Sequence, residues 1–193
     1  MGMTITLETA LSDKDGRAIG PWKRLATNSW TKAASQILRV FLSQTTDADV
    51  DDTGNVARSV VAINTTKNMK LAAAITDATF GIQVGTSATA VTRDDYALTV
   101  LVAHGVAATQ LEYGTCVVSD IVAVSGGYKI TVSRVFTNNS GGNITVKEIG
   151  LVAEYNGGTS FKFLIAHDLT GDIVVTNTLS RTFRYVITVL VGY

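Results

Sequence analysis

From Phe80 to the end of the chain, valine, isoleucine, threonine and aromatic residues come in short runs that Gly or Asn breaks about every ten residues. Short runs of this composition fit half-buried pleated strands, and the punctuation supplies the turns between them. The pattern predicts strands near 81–85, 97–104, 116–124, 128–136, 144–153, 161–166, 172–176 and 181–192. Ser125-Gly-Gly predicts a tight hairpin, because glycine reaches positive φ without steric cost. Tyr128, Ile130 and Val132 alternate with Lys129, Thr131 and Ser133, which gives the following strand one buried face. In the last strand Phe183, Tyr185, Ile187, Val189 and Val191 share one face, with Val186 and Leu190 on the other. Cover on both faces suits a central or inter-subunit strand. The expected fold is mainly β, an antiparallel β-sandwich or barrel with one N-terminal amphipathic helix and an extended N-terminal arm.

The arm spans residues 1–27. It holds one short strand, Thr4-Ile-Thr-Leu, a turn at Asp13-Lys-Asp-Gly, and Gly20-Pro-Trp with the sole proline. Trp22 on such a segment is either a plug into its own subunit or an anchor on a neighbour. The single β-rich domain, 28–193, starts with a helix near 29–43, capped by Asn28 or Ser29. Trp30, Ala33, Ala34, Ile37, Leu38, Phe41 and Leu42 fall on one helical face, which needs a cover.

The charge balance sets limits on partners. Lys plus Arg and Asp plus Glu each total 16, so no global field draws in nucleic acid or an anionic membrane. No run of about twenty apolar residues predicts a membrane span, and the start lacks the regions of a secretory signal, which predicts a protein made and kept in a cytoplasm. Charged residues make up 17% against 46% hydrophobic, an exterior that calls for neighbours. No catalytic constellation, cofactor motif or metal set emerges. Gly81-Ile-Gln-Val-Gly-Thr lacks the Lys-Ser/Thr of a phosphate loop, and its glycines read as a bulge or a close backbone approach. Asp47, Asp49 and Asp51 start like a calcium loop, but Asp52 stands where the turn glycine belongs and Arg58 where a bidentate glutamate belongs. His104 and His167 lack neighbouring ligands except Asp168, and Ser87 or Ser140 lacks a nucleophile-elbow context. Cys116 opens an apolar run and reads as a buried small hydrophobe. The acceptor-like Asn64, Asn138 and Asn143 triplets are frequent by chance in a Thr- and Asn-rich chain.

Two stretches carry a resemblance. Arg134-Val-Phe-Thr-Asn-Asn-Ser-Gly-Gly-Asn-Ile-Thr-Val-Lys-Glu-Ile-Gly-Leu leads to Phe161-Lys-Phe-Leu-Ile-Ala-His-Asp-Leu and the closing Thr182-Phe-Arg-Tyr-Val-Ile-Thr-Val. Upstream lie Gly81-Ile-Gln-Val-Gly-Thr, Asp94-Asp-Tyr-Ala-Leu and His104-Gly. Together they resemble the strand pattern of tailed-bacteriophage virion proteins, notably those of tails. The resemblance implies a non-enzymatic structural subunit of the virion, tail or neck associated, that assembles through sheet edges and the arm with copies of itself and other virion proteins. A capsid decoration protein is the alternative of the same kind. A carbohydrate- or receptor-binding module is the alternative of another kind, set against an aromatic content of 7%. The candidate assembly residues are Trp22, Trp30, Phe41, Arg134 and Glu148, with Arg134 the expected partner of Glu148 across the hairpin.

Overall fold

The computed structural model describes residues 2–25, 30–43, 46–61, 68–156 and 159–190. Its strands in chain order are β1 (Gly2–Ser12), β2 (Lys23–Arg24), β3 (Asp47–Asp51), β4 (Ala57–Val60), β5 (Asn68–Lys70), β6 (Gly81–Gly85), β7 (Glu112–Val118), β8 (Val122–Val124), β9 (Gly127–Thr137), β10 (Ile144–Asn156), β11 (Ser160–Val175) and β12 (Ser180–Leu190), with α1 (Lys32–Ser43) between β2 and β3. The fold is mainly β, and every strand pair is antiparallel. One sheet runs β2-β1-β12-β9-β7 with β8 also on β9; a second runs β11-β10-β5 with β6 also on β10; β3 and β4 form a separate hairpin. The larger sheet stops at β2 on one side and at β7 and β8 on the other, so it is not a closed barrel.

Residues 2–12, expected as a short strand on an arm, form a full-length strand in register with β12 from Gly2↔Leu190 to Ser12↔Ser180. Alternation explains this: Ile5, Leu7 and the small Thr9 are buried, and Leu7 is level with Tyr185 and Val132 across the sheet. The last strand is central, lying between β1 and β9. Its Phe183 and Tyr185 are buried while Ile187 and Val189 are only partly covered; the Leu190 side chain and Val191 lie outside the described residues. On β9, Val132, Arg134 and Phe136 point into the core, but Tyr128, expected on the buried face, is 53% exposed, because the stripe runs out from under its cover. The core includes an edge-to-face aromatic series, Tyr113 on Phe136 on Phe183.

Three other expectations change in form. The expected strand 116–124 is two strands, interrupted where the Ser119 hydroxyl donates to the Asp120 carbonyl and accepts from the Thr131 amide. The expected pair 161–166 and 172–176 is one strand, β11, and the Gly171 signal marks a bulge: Leu169 and Ile173 span only Glu148 to Val146 on β10, with Gly171 and Asp172 at positive φ. The expected strand 97–104 contains only isolated bridges, at Leu101 and His104. Asp47 to Asp51, which start like a calcium loop in sequence, form β3.

Thr31 caps α1: its hydroxyl accepts from the Ala34 amide at 3.4 Å and donates to the Leu164 carbonyl at 2.5 Å. The expected caps Asn28 and Ser29 lie outside the described residues, as do the side chains of Phe41 and Leu42. Ala33, Ala34, Ile37 and Val40 are buried, and the helix packs on β11 and β3. Leu38, expected on the apolar face, is exposed, and Val40 takes the position three residues after Ile37. No described helix is long and apolar enough to cross a membrane.

Candidate functional site

The residues with most chemistry meet beside β10. Glu148, the fifth residue of that strand, is fully buried, with the backbone of Gly85 of β6 opposite it. A Cβ at Gly85 would stand 2.5 Å from Glu148 Oε1 and 2.6 Å from the Val100 carbonyl oxygen. Glycine at 85 is therefore what lets the carboxylate lie against β6. Glu148 Oε1 accepts from the Val100 amide at 2.8 Å and the Ser87 amide at 3.3 Å; Oε2 accepts from the Thr99 amide at 3.0 Å and faces His167 Nε2 at 3.0 Å. These amides would otherwise serve a strand ladder, which is why 97–104 does not form the expected strand.

On the other side of the ring, His167 Nδ1 is 2.8 Å from Asp95 Oδ2. Asp95 in turn accepts from the Thr92 amide at 2.9 Å and the Thr92 hydroxyl at 2.6 Å. An imidazolium satisfies this arrangement with a donor at each carboxylate. Burial pushes the His167 pKa down, but its hydrogen bonds to Glu148 and Asp95, with their charges, outweigh that and raise it above the ordinary value. Burial likewise pushes Glu148 up, and the His167, Val100 and Thr99 hydrogen bonds prevail and hold it below its ordinary value. For Asp95, burial is again overcome, by Thr92 and then His167, and the carboxyl is lowered. With both ring nitrogens engaged, His167 has none free to take a proton from a nucleophile. The trio clamps the 86–101 segment onto the β10–β11 pair.

Arg134 is not the partner of Glu148. It is 1% exposed, and its guanidinium donates to five carbonyls: Gly114 at 2.7 Å, Phe80 at 3.0 Å, Ile82 at 3.2 Å, Ala74 at 3.2 Å and Asp77 at 2.5 Å. The Tyr113 ring lies 4.8 Å from the guanidinium carbon. Burial pulls its pKa down, since these carbonyl dipoles carry no full negative charge. Arg134 thus ties the irregular 74–80 segment to the start of β6 and to β7. Two residues on, Phe136 fills the core, and two further, Asn138 donates to the Gly142 and Val175 carbonyls, closing the β9–β10 turn.

The other candidates fall apart in space. Trp22 is partly buried on its own subunit, 3.6 Å beneath the Arg184 guanidinium, which also pairs with Glu8 at 2.6 Å. Trp30 bridges to Ala166 and lies between a groove of about 460 Å³, lined by Ile37, Leu38, Met69 and Ile165, and a cleft with Arg24, Lys32 and Arg93 on its walls. Phe41 is in α1, and its contacts lie outside the described residues. Arg134 and Glu148, enclosed within the subunit, have no side-chain surface to offer a neighbour. Asp47 pairs with Arg39 at 2.8 Å, and Asp52 with Arg58 at 2.6 Å while it accepts from the Gly54 and Val56 amides. Among the described residues no group of three His, Cys, Asp or Glu side chains is placed to hold a metal ion. His104 Nδ1 accepts from the Tyr113 amide at 3.0 Å. Cys116 is buried, which pushes its thiol pKa up, and lies against Gly81.

In sequence the one donor beside His167 is Asp168, whereas the structure pairs the ring with Asp95 and Glu148, 72 and 19 residues away. Asp95 carried a signal only through its place in Asp94-Asp-Tyr-Ala-Leu. Comparison of the chain with family models, with curated proteins and with solved structures finds no match.

Proposed function

We propose that the chain is a non-enzymatic structural subunit of a virus particle, associated with the tail or neck, that packs against copies of itself and other virion proteins. In this reading the two larger sheets are the layers of an antiparallel sandwich. The Tyr185 hydroxyl of β12 supports that pairing of layers, since it donates to the Ile149 carbonyl of β10 at 3.2 Å.

The observation that carries the reading is the exterior. Val117, Val118, Ile121, Val122 and Tyr128 are all exposed within one short stretch of a chain that is only 17% charged. So many large apolar side chains exposed in one short segment are surface that a neighbour would cover. The stretches that resemble virion proteins add support of a different kind. Gly85, Asp95, Glu148 and His167 build one clamp, while Arg134 and Phe136 line one face of β9 and Asn138 closes its turn, so what those stretches encode is a framework rather than a reaction. The N-terminal segment supplies one sheet edge through β2, whose Lys23 and Arg24 are exposed.

The test is the protein content of purified virus particles whose genome encodes the chain, read by mass spectrometry, with the mass of the isolated protein in solution. Presence in the particle in multiple copies is expected. Absence from the particle, together with a strictly monomeric protein at high concentration, overturns the reading.

A further inference from the structure

We infer that residues 86–101 are a pH-operated strap, shut while the His167 ring carries a proton on each nitrogen and released at its Asp95 end when the ring gives one up.

What holds this segment is polar. It leaves β6 after Gly85 and returns beside it, with the Thr86 amide on the Val100 carbonyl at 3.0 Å and the Val102 amide on the Val84 carbonyl at 2.9 Å. Between those points Leu98 is the one buried side chain, seated over Gly150 of β10, where a Cβ would stand 3.0 Å from its Cδ2. Tyr96, Val100 and Leu101 are exposed. Residues 88–96 bury no side chain. Their ties to the body are the Asp95 contact with His167 at 2.8 Å and the Arg93 carbonyl, which accepts from the Lys32 amide at 2.8 Å. A stretch with so little apolar cover opens locally at a small part of the cost of unfolding the sheets.

The proton count decides which end lets go. A ring with two N–H groups donates to both carboxylates, whereas a neutral ring has one and presents a lone pair at its other nitrogen. Glu148 is fully buried and accepts three amides from the strap, so losing the ring's donor is costliest there. The neutral ring therefore keeps its hydrogen on Nε2, and Nδ1 meets the Asp95 carboxylate with nothing to donate. Asp95 is half-buried and can turn to water. Beside it stand Lys32 of α1, Asp51 of β3, and Arg93 and Asp94 of the strap, two cations and two acids whose sum does not replace the lost proton. Asp168, next to the ring on β11, turns to the Tyr185 phenol of β12.

Burial lowers the His167 pKa, but the hydrogen bonds to Glu148 and Asp95 outweigh it. The strap is thus shut below the ordinary 6.5 and opens as pH rises through the raised value. Opening takes Arg93 and Asp94 off the wall of a cleft of about 1070 Å³ that also holds Arg24 and Lys32, and it frees the first amide of α1.

Methyl NMR of the full chain tests this, with the imidazole nitrogens of His167 followed in the same titration. The Val91 and Thr92 methyls are expected to shift with the midpoint of His167, while those of Val146 and Ile149 stay. Over the same range the protection factor of the Lys32 amide, corrected for intrinsic exchange, is expected to fall roughly tenfold or more. Asp95→Asn should stay shut after its ring deprotonates, because the carboxamide can donate to Nδ1 and still accept from Thr92. His167→Gln should show no transition. The inference is overturned if His167 keeps its second proton until the whole fold melts, or loses it with the Thr92 methyl unmoved. It is equally overturned if the Ile149 methyl moves as well, if Asp95→Asn opens as the parent does, or if His167→Gln keeps the transition. Should His167→Gln fail to fold, Asp95→Asn, at a half-buried position, decides.

Discussion

Glu148 Oε2 and His167 Nε2 lie 3.0 Å apart between β10 and β11, both enclosed, with every remaining polar direction of the pair filled by Asp95 or by the amides of the 86–101 segment. Breaking such a pair from one side leaves a buried charge with no counterpart. Glu148→Ala is therefore expected to destabilise the fold by about 3–5 kcal/mol, measured by urea denaturation. His167→Gln should show strong coupling to it in a double-mutant cycle, and simple additivity of the two would refute the pairing.

The same trio fixes a pH profile. Asp95 and Glu148 titrate below their ordinary 3.8 and 4.5 when folded, so their contribution is full above those values and is lost as pH falls through the lowered ones. His167 titrates above its ordinary 6.5, so its contribution is full below 6.5 and is lost as pH rises through the raised value. Tm is expected to be highest between these ordinary values of 4.5 and 6.5 and to fall on both sides. His167→Gln should flatten the alkaline side, and an alkaline fall of equal size in that variant would remove the histidine from the account.

Gly85→Ala tests the close approach of β6 to Glu148. Its φ is not among the positive ones, so the penalty is steric alone: a methyl 2.5 Å from a buried carboxylate oxygen. A loss of about 1–3 kcal/mol is expected from overpacking. In the Glu148→Ala background the loss should shrink but not vanish, since the carboxylate is gone while the Val100 carbonyl oxygen, 2.6 Å from the methyl, remains; an undiminished loss would place the strain at that carbonyl alone.

Arg134→Lys separates geometry from charge. One ammonium cannot replace three separate nitrogens, since Nε serves Gly114, Nη1 serves Phe80 and Ile82, and Nη2 serves Ala74 and Asp77 on different sides of the planar guanidinium. The expected cost is about 3 kcal/mol or more, with faster hydrogen exchange across 74–82. A variant as stable as the parent would show that those carbonyls find other donors.

On α1, Val40→Ala should cost about 1–3 kcal/mol and Leu38→Ala less than about 0.5 kcal/mol, in calorimetry. The reverse order would mean that the helix faces the other way.

Period-two alternation made β9 and β12 readable, because it reports directly which side of a pleated strand meets water. It could not report where a cover ends, and so Tyr128 was placed inside. Local rules also failed wherever a distant side chain captured backbone groups. Nothing near Thr99 or Val100 in sequence says that Glu148 will take their amides, and nothing near Ala74 or Asp77 announces Arg134. The clamp was legible only as separate pieces: Gly85 as a close approach, Glu148 as a carboxylate wanting a partner, His167 as an isolated imidazole. Joining them needed the register of β6 and β11 on β10, which long-range pairing sets. At α1 the spacing fixed a helix but not its exact facing, since Leu38 and Val40 flank the same stripe.

The pairing of β1 with β12 ties strands made at opposite times. The Thr9 hydroxyl reaches the Thr182 carbonyl across 173 residues, so on a ribosome β1 emerges that far ahead of β12, with only the two-residue β2 to pair with meanwhile. Until then its alternating apolar side chains have no sheet to join, and closing so long a loop makes this step slow. That layer therefore closes only once β12 is made, which gives chaperones a defined window, and a product truncated before β12 loses the strand that joins β1 to β9 rather than one edge.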